Sequence, residues 1–256
     1  LWTPGKGGLA GAVLGYNNGC TGPFVSSQGL IITNHHCAFR AIQRNSTPQR
    51  DLIKAGYLAK TRAEELNGYG ARVYVFRNQT DVTAKIIGKL PKGDDYAVIR
   101  AIEAREKALV AACEKKPHTR CRISRENDGL RFLLLENTEI KDVRIVAAPP
   151  VALGNFGGEV DNFRWPRHTL DFTLMRAYVA PNGEPRGYNK DNVPYKPKAF
   201  LKLQPRGIAA GDFVMVLGTP GRTNRYATAT DVAWNQGWYY PWRKQIFGDW
   251  INVLRD

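Results

Sequence analysis

Two cysteines seventeen residues apart, Cys20 and Cys37, bracket the segment Phe24 to Thr33, FVSSQGLIIT, and constrain the fold more than any other feature of the chain. Within the segment Gln28-Gly29 predicts a two-residue turn, because glycine takes the positive φ needed at the second central position without steric cost. A hairpin closed there pairs residues whose numbers sum to 57, and Cys20 with Cys37 satisfies the same sum. Directly opposed residues of antiparallel strands have Cα atoms about 4.5 to 5.5 Å apart, which suits a disulfide. A second pair, Cys113 and Cys121, closes a short loop at the end of a predicted helix. Two such local pairs predict the disulfides Cys20–Cys37 and Cys113–Cys121, formed in an oxidising compartment; four buried free thiols are the alternative.

Helical signals follow the hairpin from Cys37 to Arg44, near Pro48 and at the capping box Thr61-Arg62-Ala63-Glu64. Arg72 to Phe76 reads as a strand. Asp94 opens a longer helix reaching about Cys113, with Ala97, Ala101, Ile102, Ala104 and Leu109 on its apolar face. Further strands are expected over Asp142 to Ala147, Asp171 to Val179 and Phe213 to Leu217. From Trp242 onward Ile246, Trp250 and Leu254 recur every four positions, flanked by Phe247, Ile251 and Val253. The sequence stops inside this apolar helix without a C-terminal cap, which predicts a chain cut within a larger protein.

At 256 residues and 43% hydrophobic content the chain can bury a real core, which excludes disorder. No apolar run approaches the roughly 18 residues of a membrane span, and the chain opens at Leu1 without a leader pattern, so a processed, soluble chain is expected. The formal charge of +14 raises nucleic acid as a partner. Lys and Arg are instead scattered from Lys6 to Arg255 without a basic block or a nucleic-acid-binding motif, so a solvated basic surface is expected.

Three readings are open for Thr33-Asn34-His35-His36-Cys37: a general base, a metal site, or packing. Zinc favours short recurrent ligand spacings such as Cys-x2-Cys, and neither these residues nor His118 provide one. Adjacent histidines on a strand also point to opposite faces, so no metal and no cofactor is expected. Gly218 to Thr223 lacks the Gly-Lys-Ser/Thr end of a phosphate loop and reads as a tight turn. The glycosylation sequons at Asn45 and Asn78 are read as accidental.

The order of strand, small polar residue, His and disulfide-bonded Cys resembles the histidine segment of chymotrypsin-like serine peptidases. That resemblance selects His36 as the base and leaves His35 a structural role. The stretch His168 to Arg176, HTLDFTLMR, resembles the strand on which that fold carries its triad aspartate, which selects Asp171 over an ordinary exposed aspartate. Alternation would place Asp171, Thr173 and Met175 on one face and Leu170, Phe172 and Leu174 on the other. His168, three residues from Asp171, is expected to pack rather than to catalyse.

A closer resemblance follows from CTGPFVSSQGLIITNHHCAFRAIQ, NTEIKDVRIVAAPP, GNFGGEVDNFRWPRHTLDF and TPGRTNRY, in that order. These runs resemble the bacterial dipeptidyl-peptidases of the type that includes dipeptidyl aminopeptidase and dipeptidyl-peptidases 7 and 11, from about Gly15 to Tyr226. The resemblance implies a mostly β fold with helices. Residues 1–233 would be the N-terminal part of a chymotrypsin-like β-barrel peptidase domain, and residues 234–256 the start of an inserted α-helical domain. It implies a periplasmic or secreted serine peptidase that releases dipeptides from free N termini, with His36 and Asp171 catalytic. Asn162 would bind the substrate's terminal amine, with Phe163 beside it where the family usually carries Trp. None of Ser26, Ser27, Ser46 and Ser124 sits on a Gly-rich turn suited to a nucleophile. The resemblance places that serine in a further C-terminal segment, so this chain alone should be inactive. The expected partners are peptides with a free N terminus, that further segment and, as an assembly to be tested, a second copy in a homodimer; nucleic acid is not expected. The alternative is a naturally short, non-catalytic envelope protein that binds peptides.

Overall fold

Buried side chains alternate with less buried ones along Val13–Tyr16 and the first part of Val73–Asp81, which turns one face of these strands toward a core. A computed structural model describes residues 2–3, 7–17, 19–156, 169–218 and 227–255. Its chain forms two compact units, Leu1–Thr219 and Pro220–Asp256.

Besides the two-stranded ribbon of Trp2–Thr3 with Gly7–Gly8, the first unit holds two larger antiparallel sheets. In one, the strands lie in the order Cys20–Pro23, Val13–Tyr16, Val73–Asp81, Arg131–Ile140 and Thr119–Glu126. The chain passes through Lys141 straight into Asp142–Ala148, the central strand of the second sheet. There Asp142–Ala148 pairs with Thr173–Val179, whose far edge carries Leu30–Thr33 and Val193–Pro194. Inward residues of both sheets, among them Tyr16, Val73, Ile140, Ile145 and Met175, share one core with Ala38 and Ile42 of the helix His35–Asn45. Among the described residues neither sheet closes on itself.

A satellite core of Val82, Ile86 and Phe132 lies where the helix Asp95–Cys113 packs on the long hairpin Thr119–Glu126/Arg131–Ile140. Asp94 caps this helix by accepting from the Tyr96 N–H, and the Cys113–Cys121 disulfide ties its end to the hairpin. Ala104 is exposed, contrary to its expected place on the apolar face. Arg105 occupies the packed side instead, donating to the carbonyls of Ile86, Gly88 and Lys89 at the end of Thr83–Ile87.

Other local expectations change as well. Pro48 lies in a turn just ahead of the short helix Leu52–Ala55, and Thr61 to Glu64 yields only the 3-10 turn Arg62–Glu64. Phe213 to Leu217 is not a strand: no described segment pairs with it, and Phe213 and Val216 are 86% and 88% exposed. A strand-like sequence without a partner ladder has nothing to satisfy its backbone.

In the second unit Thr228 and Asp231 form a capping box that starts the helix Ala229–Trp234. The helix passes through one π-turn, Asn235–Tyr239, into Tyr240–Arg255. The π-turn falls just ahead of Pro241, which has no N–H to continue an α-helical ladder. The expected apolar stripe is outward, with Trp250, Val253 and Leu254 exposed.

Candidate active site

The hairpin that delivers the histidines has a different register from the one the turn residues suggested. Phe24 bridges Ile31 and the Val25 N–H donates to the Leu30 carbonyl, so the loop spans four residues, Ser26 to Gly29. Ser26 Oγ accepts from the N–H groups of Gln28 and Leu30, an alternative closure that a Ser at the head of a turn offers. Gly29 has φ of 67°, and a Cβ there would meet the carbonyl oxygens of Ala177 and Tyr195 at 2.9 Å. Cys37 is therefore not opposite Cys20 on a strand. It sits in the first turn of His35–Asn45, from which its Cα lies 6.2 Å from that of Cys20 and the disulfide closes.

Because both histidines stand on a helix and not on a strand, they diverge by about 100°. His35 is 1% exposed, and its Nε2 donates to the Pro149 carbonyl at 3.1 Å. Gly154 lies flat against the ring: a Cβ at that position would come within 2.6 Å of His35 Cγ. Gly154→Ala is expected to destabilise the protein by about 1–3 kcal/mol through this overpacking, read as a lower urea midpoint with an unchanged m-value. Burial pushes the His35 pKa down, with the Pro149 hydrogen bond and the Asp171 charge pulling partly back. The unfolded chain thus takes up a proton near the usual value of about 6.5 while the folded chain resists it. Stability should fall as pH drops below about 6.5, and thermal melts of His35→Gln should show a shallower fall.

His36 points the other way, its side chain 68% exposed, and meets Asp171. Its Nδ1 donates to Asp171 Oδ2 at 2.8 Å, and its backbone N–H donates to Oδ1 at 3.1 Å. Asn34, the residue at the N-cap, makes no capping bond of its own and donates from Nδ2 to Asp171 Oδ2 at 3.1 Å. One carboxylate from 135 residues further along therefore caps the helix and orients the histidine. Burial works to raise the Asp171 pKa, but the hydrogen bonds and charge of His36, together with Asn34, outweigh it and hold the carboxyl below its usual value. With Nδ1 engaged, Nε2 is the ring nitrogen left for proton transfer.

Asp171 does not belong to the strand on which the sequence seemed to place it. The strand begins at Thr173, and Thr173 and Met175 are fully buried while Leu170 and Phe172 are 48% and 40% exposed. The expected anchoring face is thus reversed, because the alternation does not extend back through the loop. That loop is braced by the short helix Val151–Gly154, whose Leu153 carbonyl accepts from the Leu170 N–H and the Thr169 hydroxyl.

Asn162, Phe163 and His168 lie outside the described residues. Cys20 and Cys37 place their sulfurs within 4.8 Å of a His36 ring nitrogen, but a disulfide offers no thiolate to a metal. Ser46 Oγ, at the far end of the His36 helix, donates to the Ile42 carbonyl, and Ser124 lies on the strand Thr119–Glu126. Sequence reading missed Asn34 and Gly154, although an Asn before a helix and a Gly ending a short one were both visible signals.

A histidine held at Nδ1 by an ionised carboxylate, on a disulfide-tied scaffold of antiparallel sheets, is an arrangement that can take a proton at Nε2 and pass it on. The chain belongs to the Peptidase S46 family, whose model matches residues 5–256. It is 40% identical to an Asp/Glu-specific dipeptidyl-peptidase of Shewanella putrefaciens over 94% of this chain and 33% of the relative. It is 39% identical to a dipeptidyl-peptidase 7 of Phocaeicola vulgatus over 91% of this chain and 33% of that relative. The crystal structure of Porphyromonas endodontalis DPP11 in complex with the dipeptide Arg-Glu superimposes with a TM-score of 0.82 at 37% identity, covering 92% of this chain and 36% of that one. The chain thus spans about a third of the length of the curated relatives it matches. Among the described residues no helix is long and apolar enough to cross a membrane.

Proposed function

We propose that the whole protein is a serine-type dipeptidyl-peptidase, with His36 as general base and acid and Asp171 as its orienting carboxylate. The observation that carries this reading is the double contact of Asp171 with the His36 ring and backbone, at 2.8 and 3.1 Å, in a chain of the Peptidase S46 family. Asn162 accepts hydrogen bonds from the substrate's terminal ammonium, beside Phe163, which fixes the second peptide bond at the nucleophile. A serine hydroxyl attacks that carbonyl carbon and gives its proton to His36 Nε2, while Asp171 keeps the proton on Nδ1 and stabilises the imidazolium. His36 then passes the proton to the leaving amine, and water repeats the sequence to free the dipeptide. The serine and the oxyanion donors come from sequence beyond this chain, which alone is inactive.

On this reading the two open sheets are the N-terminal part of a chymotrypsin-like barrel domain, and residues 234–256 begin an inserted helical domain. The two disulfides support a periplasmic or secreted setting. Full-length protein given matched peptides with free or acetylated N termini should remove dipeptides from the free series alone. Asn162→Ala should lower kcat/KM on the free series about 10²-fold. Equal cleavage of both series would overturn the exopeptidase reading, and unchanged kinetics in the variant would remove the amine anchor.

A further inference from the structure

A cluster of positive charge lies beside the helix that carries His36. A cavity of about 700 Å³ is lined by Arg40, Arg44, Arg72, Arg120 and Lys141 and by one carboxylate, Glu139. Glu139 is shared between Arg72 at 2.7 Å and Lys141 at 3.5 Å, and Arg120 pairs with Glu114 at 3.1 Å. Arg44 gives one N–H to the Tyr69 carbonyl, and Arg40 makes no ion pair among the described residues. Like charges gathered in a concave site raise the local potential and draw anions in. The cavity shares Asn17, Tyr74 and Arg120 with a second one of about 430 Å³, which reaches Cys20, and the Cys20 sulfur lies within 4.8 Å of a His36 ring nitrogen. The two adjoining cavities thus form one groove that runs from Cys20, whose sulfur lies beside His36, to these arginines.

We propose that this groove seats the part of the peptide substrate beyond the cleaved bond and favours acidic side chains there. The inference rests on the dipeptidyl-peptidase reading, which also fixes the direction. Only two residues precede the cleaved bond, and they span at most about 7 Å. Arg44 stands two helical turns beyond His36, about 12 Å along the axis at 1.5 Å per residue. Only the leaving side of the substrate can reach that far. At about 3.3 Å per extended residue, its third and fourth residues after the cleaved bond come level with the cavity. Carboxylates at those positions would meet guanidinium groups with free N–H donors, the strongest polar pairing available to an extended peptide.

The test uses the full-length protein and C-terminally amidated peptides that share their first two residues and differ only in carrying Glu or Gln at the third and fourth positions after the cleaved bond. A dipeptidyl-coumarin, which has no leaving peptide, is the reference substrate. At low salt kcat/KM should be about tenfold higher for the Glu peptide than for the Gln peptide, and the gap should close as NaCl is raised. Arg40→Glu, at an exposed position where folding is not at risk, should bring that ratio to about one or below it. No Glu preference in the wild type, or a preference that survives both salt and Arg40→Glu, overturns the proposal. Failure to turn over the dipeptidyl-coumarin would instead sink the peptidase reading on which it rests.

Discussion

Full-length protein carrying His36→Ala should release dipeptides about 10⁴-fold more slowly than wild type, with an unfolding midpoint nearly unchanged. The ring is largely exposed, and its packing contributes little; its backbone N–H still bonds to Asp171 after truncation. Asp171→Asn should be about as harmful to kcat, roughly 10³ to 10⁴-fold, because an amide no longer dictates which ring nitrogen carries the proton. The two variants should differ in stability. Asp171 also accepts from the His36 backbone and from Asn34, so its loss should remove about 1 kcal/mol at the helix start, as N-cap removal does. The double variant should be no slower than the worse single one, because the pair acts as a unit. A catalytic loss in His36→Ala that simply tracks a fall in its melting temperature would show a scaffold role in place of proton transfer.

The second large effect concerns the support behind the site. Asp142 is fully buried and grips Arg144 through two bonds of 3.0 and 2.8 Å, while Asn192 Nδ2 donates to the same carboxylate at 2.7 Å. The guanidinium is stacked between Tyr178 and Tyr188, 3.8 and 4.8 Å from their centroids. Asp142→Ala leaves this cation buried without its counter-charge, which costs about 3–5 kcal/mol, and a fall of roughly 10 °C in melting temperature is expected. Replacing Asp142 and Arg144 together with leucine and methionine should recover much of it, since the unpaired charge is then gone. The strand Asp142–Ala148 runs into Pro149, which holds His35, so the loss should be accompanied by weaker activity.

How much of this was legible in the chain depended on the range of the interactions involved. Local features were readable: the helix capped by Asp94, the strand from Asp142 and the Cys113–Cys121 pair all follow from patterns close together in the chain. The Cys20–Cys37 pairing was reached from a register that the structure does not have. Ser26 closes the turn early, and the disulfide forms between a strand and a helix. Local pattern could not show that Asp171 caps the helix of His36, because no signal near Asn34 reports an acceptor 135 residues away. Nor could it show that Phe213 to Leu217 lacks a partner, since strand propensity describes what a segment can pair with and not what is there to pair. The basic cavity was invisible for the same reason. Arg40, Arg72, Arg120 and Lys141 are dispersed in sequence and read as scattered charge until the fold brings them together.

Labelling the full-length protein with a fluorophosphonate, followed by peptide mass mapping, asks which serine His36 and Asp171 serve. The expected result is a single adduct on a serine beyond residue 256, formed at least about 10³-fold more slowly in His36→Ala. An adduct on Ser26, Ser27, Ser46 or Ser124, or labelling that proceeds equally well without His36, would contradict it.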